Sequence, residues 1–145
     1  TQAFWNRLAG ALKLAGLDPE TRLEFLRPTG RDEFIRRLHA ADIILDTFDW
    51  SGGNTSLEAL CAGTPIVSLP GRFMRGRHSM AMLSRIGTPE LIAKDAADYA
   101  AVAVRLLTDP AFARDTRARI AQGRAKLFRD DAPVRALADV IDTLS

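Results

Sequence analysis

Cysteine, histidine and tyrosine are scarce in this chain: 145 residues hold one Cys, two His and one Tyr. A lone thiol, Cys61, excludes an intramolecular disulfide and cannot build a metal cluster by itself. It sits in an apolar helical pattern, which suits a packed thiol better than a nucleophile. His39 and His78 are too few and too far apart for a metal site, and His39 closes an amphipathic pattern, where a structural or exposed role fits. Long apolar runs are missing as well, none approaching the ~18 residues of a membrane span. No basic-then-apolar leader opens the chain. Charge of one sign is not in excess: 20 Lys and Arg against 18 Asp and Glu leave +2, too little to point to nucleic acid. There is no internal repeat, low-complexity segment or long linker. These absences lead us to expect a protein of the reducing cytoplasm with neither a membrane nor a nucleic acid as partner.

What is present is ordinary globular material, 47% hydrophobic and 26% charged, and residues 1–145 read as one domain able to bury a core. Phe4, Leu8, Leu12 and Ala15 recur at helical spacing, with Gly16 as the stop. Residues 23–26 (Leu-Glu-Phe-Leu) read as a short strand ended by Pro28. Thr29 can cap a helix that runs to Leu38, with Phe34, Ile35 and Leu38 on one face. Residues 43–45 form a second apolar strand, 56–62 a helix stopped by Gly63 and Pro65, and 66–69 a third strand closed by Pro70-Gly71. A helix over 77–86 follows, then a short fourth strand over 90–93. Helices over about 95–107, 110–127 and 132–144 complete the chain. Short apolar strands separated by helices predict a parallel sheet with helices on both faces, a Rossmann-like α/β/α arrangement.

The stretch from Ile43 to Pro65 carries the chemistry. An apolar strand leads into a polar loop, Thr47-Phe48-Asp49-Trp50-Ser51-Gly52-Gly53, and the small residues Asn54, Thr55 and Ser56 then open a helix. Two glycines remove side-chain bulk and permit unusual dihedrals. The free N–H groups and dipole of the helix start favour an anion. Glu58 follows one turn later, within reach of sugar hydroxyls. A nucleotide diphosphate fits these parts. A capping box, in which Thr55 and Glu58 satisfy orphan N–H groups, fits the same four residues. Arg72, Arg75 and Arg77 fall within six residues of one another, followed by His78 and interrupted by no acid; they can hold phosphates or form a solvated surface. In parallel sheets ligands bind beyond the carboxyl ends of the strands. The glycine-polar loop, the segment Pro28-Thr29-Gly30-Arg31 and the arginine group would then share one crevice. Phe34 near that edge can stack on a base or join the core.

Asp42-Ile43-Ile44-Leu45-Asp46-Thr47, the run from Ser51 to Leu60, Ala62-Gly63-Thr64-Pro65-Ile66-Val67, Pro70-Gly71 and Arg77 together resemble the C-terminal half of the O-linked N-acetylglucosamine transferases, especially bacterial, SPINDLY-like members. Glu90-Leu91-Ile92-Ala93 and the helix from Tyr99 to Asp109 continue the likeness, which runs over about residues 17–128. The Glu-Ala-Leu…Gly-Thr-Pro piece alone is common to many glycosyltransferases with two Rossmann halves (the GT-B fold); the ordered series is specific.

The resemblance implies an inverting transferase that moves a sugar from a nucleotide diphosphate, typically UDP-N-acetylglucosamine, to Ser or Thr of a protein acceptor. It also implies that this half holds the nucleotide, with no metal or further cofactor required. Carried over by position, Gly53, Asn54 and Thr55 fall on the diphosphate contact, with Gly52 and Ser56 beside them. Glu58 falls on the ribose acid, Arg31, Phe34 and Arg37 on the base-and-ribose segment, and Arg77 on a cation near the phosphates. Two departures stand out: Gly53 replaces a His that donates to phosphate, and Arg31 stands where animal members have Lys. UDP-N-acetylglucosamine, UDP-glucose and a GDP-sugar all remain open as donors. Asp46 and Asp49 are not spaced as an Asp-x-Asp pair; Asp46 suits the strand end or the orientation of the loop.

The other Rossmann half and the helical repeats of the family do not occur in these 145 residues. The chain therefore reads as a fragment, expected to be unable to transfer sugar alone, and an incomplete sheet is expected to favour self-association through an exposed edge. A module of the same fold that has lost catalysis and serves nucleotide binding or assembly is the other reading.

Overall fold

A computed structural model describes residues 2–144. The chain divides into two compact units, with the break between Gly30 and Arg31.

In the first unit, α1 spans Gln2–Leu14 and α2 spans Pro19–Arg22. Gly16, at φ 74°, ends α1, and the Leu17 N–H reaches back to the Leu12 carbonyl at 2.9 Å. Asp18 caps α2 through the Glu20 N–H at 3.1 Å, with Pro19 at the first helical position. The strand expected over 23–26 does not form. Leu23 has extended dihedrals, yet among the described residues no neighbouring strand pairs with the segment, and an extended chain without a ladder is not a sheet. Phe25 instead packs edge-on against Phe4 and Trp5, with ring centroids 6.1 and 5.3 Å away.

The second unit is α/β. It comprises α3 (Arg31–Ala40), β1 (Ile44–Leu45), α4 (Asn54–Ala62), β2 (Ile66–Val67), α5 (His78–Ile86), α6 (Ala96–Thr108), α7 (Pro110–Gly123) and α8 (Ala132–Thr143), with 3₁₀ turns at Met74–Gly76, Pro89–Leu91 and Arg124–Leu127. β1 and β2 pair in parallel, Ile44 opposite Ile66 and Leu45 opposite Val67. The fourth strand expected over 90–93 is reduced to one bridge. Pro89 opens a 3₁₀ turn, and only Ile92 then lies parallel to Ser68, with Ser68 N–H to Leu91 O at 3.0 Å and Ala93 N–H to Ser68 O at 2.8 Å.

Helices close over this short sheet. Leu60, Ile66, Val67, Leu83, Leu91 and Ile120 are wholly buried, and Phe34, Ile35 and Phe112 pack against them. α4 ends as expected, on Gly63 at φ 84°, and α5 ends in the same way on Gly87 at φ 86°. α5 and α7 meet at Gly123, where a Cβ would stand 2.4 Å from the Ile86 carbonyl oxygen. From α7, Arg117 donates to the Ala41, Asp42 and Gly63 carbonyls, and the nearby Arg124 donates to the Cys61 carbonyl. No residue of α8 is buried, and Val134, Leu137, Val140 and Ile141 are all more than half exposed.

Candidate functional site

The site is built where β1 and β2 end. The chain leaves β1 at Asp46, which is 7% exposed. Its Oδ1 accepts the Gly52 N–H at 2.8 Å and its Oδ2 accepts the Ser68 hydroxyl at 2.8 Å. The main-chain oxygen of Asp46 accepts the Tyr99 hydroxyl at 2.8 Å, and burial pushes the Tyr99 phenol up to about 12. The loop from Thr47 to Gly53 is thus anchored at both ends.

The loop that follows β2 packs against it. The Ser51 N–H donates to the Arg75 carbonyl at 2.8 Å, and Gly71 and Gly76 leave room for the backbone of Asp49, which a Cβ on either would crowd at 3.2–3.3 Å. Two loops from the carboxyl ends of parallel strands therefore converge, as expected from the α/β pattern.

α4 starts from this platform. Gly53 is its N-cap and supplies no side-chain bond, so the capping box of Thr55 and Glu58 is not formed. The first helical bond runs from the Leu57 N–H to the Gly53 carbonyl at 3.1 Å, which leaves the N–H groups of Asn54, Thr55 and Ser56 ahead of the ladder. Gly53, Asn54 and Thr55 are exposed, and a Cβ on Gly53 would meet no atom within 4 Å. The Ser56 side chain points the other way. It is 3% exposed, with its hydroxyl 2.8 Å from that of Ser79.

A groove of about 640 Å³ begins at this helix start. Its polar lining is Arg31, Asn54 and Glu58, and Ile35, Leu57 and Phe128 contribute apolar lining. Arg31 and Glu58 approach to 3.4 Å, with Arg31 largely exposed. Cys61 also lines the groove, and burial raises its thiol above the usual range, which lowers its thiolate fraction and reactivity.

The remaining sequence candidates are dispersed. Phe34 packs on the core rather than lining the groove. Arg37 pairs with Glu33 at 3.0 Å along its own helix, and the bonds from Arg36 and Arg37 hold the Glu33 carboxyl below its usual range. Arg77 donates to the Gly71 carbonyl at 3.3 Å. Arg75 stacks over Phe73 and Trp50, with centroids 4.7 and 6.0 Å away, in an exposed aromatic-cation cluster. Sequence reasoning missed Ser51, Ser68 and Ser79, whose only signal is a small hydroxyl at an apolar position. Among the described residues no group of three or more His, Cys, Asp or Glu could hold a metal ion, and no helix is long and apolar enough to cross a membrane.

The second unit is thus a parallel α/β fold in which a loop of small residues opens a helix beside a groove. Residues 6–132 match the model of glycosyl transferase family 41, and the chain belongs to that family. It is 37% identical over 109 residues to a UDP-N-acetylglucosamine–peptide N-acetylglucosaminyltransferase of Caenorhabditis elegans, covering 75% of this chain and 9% of that protein. It is 37% identical over 68 residues to a probable transferase of the same name, SPINDLY, from Eustoma exaltatum, covering 47% of this chain and 7% of that one. The structure superposes on a Thermobaculum terrenum O-GlcNAc transferase, the K341M mutant, with a TM-score of 0.81 and 32% identity, over 97% of this chain and 27% of that chain. The fold is thus that of part of a GT-B O-GlcNAc transferase. The chain spans less than a tenth of these two curated relatives and about a quarter of the solved chain.

Proposed function

We propose that this chain is the donor-binding part of an inverting protein O-glycosyltransferase, acting on a UDP-sugar whose glycosyl group is N-acetylglucosamine. The observation that carries the reading is the junction of α4 and the groove. Three helix-start N–H groups, at Asn54, Thr55 and Ser56, open beside a groove whose lining pairs the polar groups of Asn54, Glu58 and Arg31 with the apolar Ile35, Leu57 and Phe128. A nucleoside diphosphate combines the matching chemistries: anion, diol, flat apolar base.

In this reading the N–H groups and the Asn54 and Thr55 side chains receive the diphosphate, and Glu58 accepts from the ribose hydroxyls. The base lies against the apolar lining of the groove. Displacement by an acceptor hydroxyl breaks the bond between the anomeric carbon and the diphosphate oxygen and leaves negative charge there. Fixed N–H dipoles at that point stabilise the charge more in the transition state than in the ground state. Ser56 contributes through its backbone, since its hydroxyl is turned inward. Acceptor groups belong to regions outside these 145 residues, so the chain alone transfers no sugar; measurable transfer by the purified chain would refute this.

Calorimetric titration with UDP, with GDP as comparison, tests the reading. UDP is expected to bind and GDP not. Glu58→Ala should weaken UDP binding about tenfold or more, the effect of removing one charged hydrogen-bond partner. Joint replacement of Asn54 and Thr55 by Ala should abolish binding while the circular dichroism spectrum stays native. A folded chain indifferent to UDP would overturn the assignment and leave a module of the same fold with an assembly role.

A further inference from the structure

The geometry points to Asp46 as a positioning residue for the α4 start, acting with a buried triad of serine hydroxyls; the inference rests on the nucleotide reading above for its functional consequence. Asp46 is nearly buried and lies under the loop rather than in the groove. Its two carboxylate oxygens hold two separate pieces of chain: Gly52, the last residue but one before α4, and Ser68, at the end of β2. The carboxylate therefore fixes the loop that delivers α4 to the neighbouring strand.

The second tie is the hydroxyl triad. Ser51 donates its hydroxyl to Ser79 Oγ at 2.9 Å and accepts the Ser79 N–H at 2.9 Å. Ser79 Oγ in turn lies 2.8 Å from Ser56 Oγ. Ser51, Ser56 and Ser79 are 2%, 3% and 0% exposed, so these bonds have no competing water. The triad joins the loop, the first turn of α4 and the first turn of α5 at one point. Gly52 is part of the fit, because a Cβ there would stand 2.3 Å from Ser56 Oγ. A buried polar network with every member paired holds one arrangement, since losing one member leaves another buried and unpaired. The three N–H groups at Asn54, Thr55 and Ser56 are thereby aimed before any ligand arrives, and preorganised donors need no rearrangement during reaction.

The test is amide hydrogen exchange by NMR on the whole chain, alongside UDP titration, for Asp46→Ala, Asp46→Asn and Ser79→Ala. Asp46→Ala and Ser79→Ala are expected to speed exchange of the hydrogen-bonded Ser51, Gly52 and Leu57 amides about tenfold or more, the loss expected of a buried bond to a charged or networked acceptor. The amides of Ala103 and Ile120, in α6 and α7, should be unchanged. UDP affinity should fall about tenfold in parallel. Asp46→Asn keeps one acceptor for the Gly52 N–H and should recover most of both losses. Uniform acceleration across α6 and α7, or an unchanged Gly52 amide in Asp46→Ala, would overturn the inference. Ser79→Ala leaves the carboxylate in place and keeps the test decisive if Asp46→Ala does not fold. If the local exchange effect appears but the wild-type chain ignores UDP, the loop-positioning claim stands and the nucleotide reading fails.

Discussion

Tyr99 shows how much one side chain can report. Its ring meets Phe48 edge-on, with centroids 5.0 Å apart, and its hydroxyl donates to the main-chain oxygen of Asp46 at the root of the loop before α4. Burial, with a smaller contribution from the negative charge of Asp46, pushes the phenol from its ordinary value near 10 up to about 12. A raised value in the folded state favours the protonated phenol there. The corresponding stability is therefore whole below about pH 10 and is lost as pH rises from about 10 to about 12. This is the only tyrosine, so the phenolate absorbance band titrates one group. A midpoint near 12 in the native chain, near 10 in denaturant, and a flattened alkaline limb of the stability curve for Tyr99→Phe are the expected results. A native midpoint near 10 would mean that the hydroxyl is solvated and the contact absent.

At the scale of elements, the expected helices formed, whereas of the four expected strands only those at 43–45 and 66–69 paired as strands. Gly63 and Gly87 mark helix ends by a left-handed conformation that needs no tertiary partner, and the helix expected over about 95–107 is α6, Ala96–Thr108. A strand exists only if another pairs with it. Residues 23–26 and 90–93 have strand composition, but the first finds no ladder among the described residues and the second finds one bridge. Site residues divided in the same way. The helix start at Asn54 was readable because small residues after glycines are a local signal. The inward turn of Ser56 and the burial of Ser79 depend on α4 and α5 meeting, which no spacing states. That meeting of helices can be tested at a different point, where α7 crosses α5. Gly123→Ala puts a methyl against the Ile86 carbonyl and should cost about 1–3 kcal/mol, the usual range for overpacking. Leu60→Ala, wholly buried in α4, should cost about 2–5 kcal/mol. Both are read by urea unfolding, and a Gly123→Ala variant as stable as wild type would show that α5 and α7 can separate freely.

For the molecule as a whole, the family likeness runs over residues 6–132, while α8, mostly beyond it, exposes Val134, Leu137 and Val140 by more than half. Leu45 on β1 is also half exposed, on a sheet of only two strands. Apolar surface and an unpaired edge together favour association. Light scattering should show a mass above 15.9 kDa that rises with concentration; a monomer across a wide range would remove the expectation. Arg117 of α7 and Arg124 of the turn that follows it bear on the far end of α4. Arg117 and Arg124 place guanidinium groups on the carbonyls of Gly63 and Cys61, at the closing turn of α4. That turn is the negative pole of the helix. With positive charge drawn against its negative pole, α4 keeps its positive pole at Asn54 less opposed, so the helix start is the end of the dipole left facing solvent.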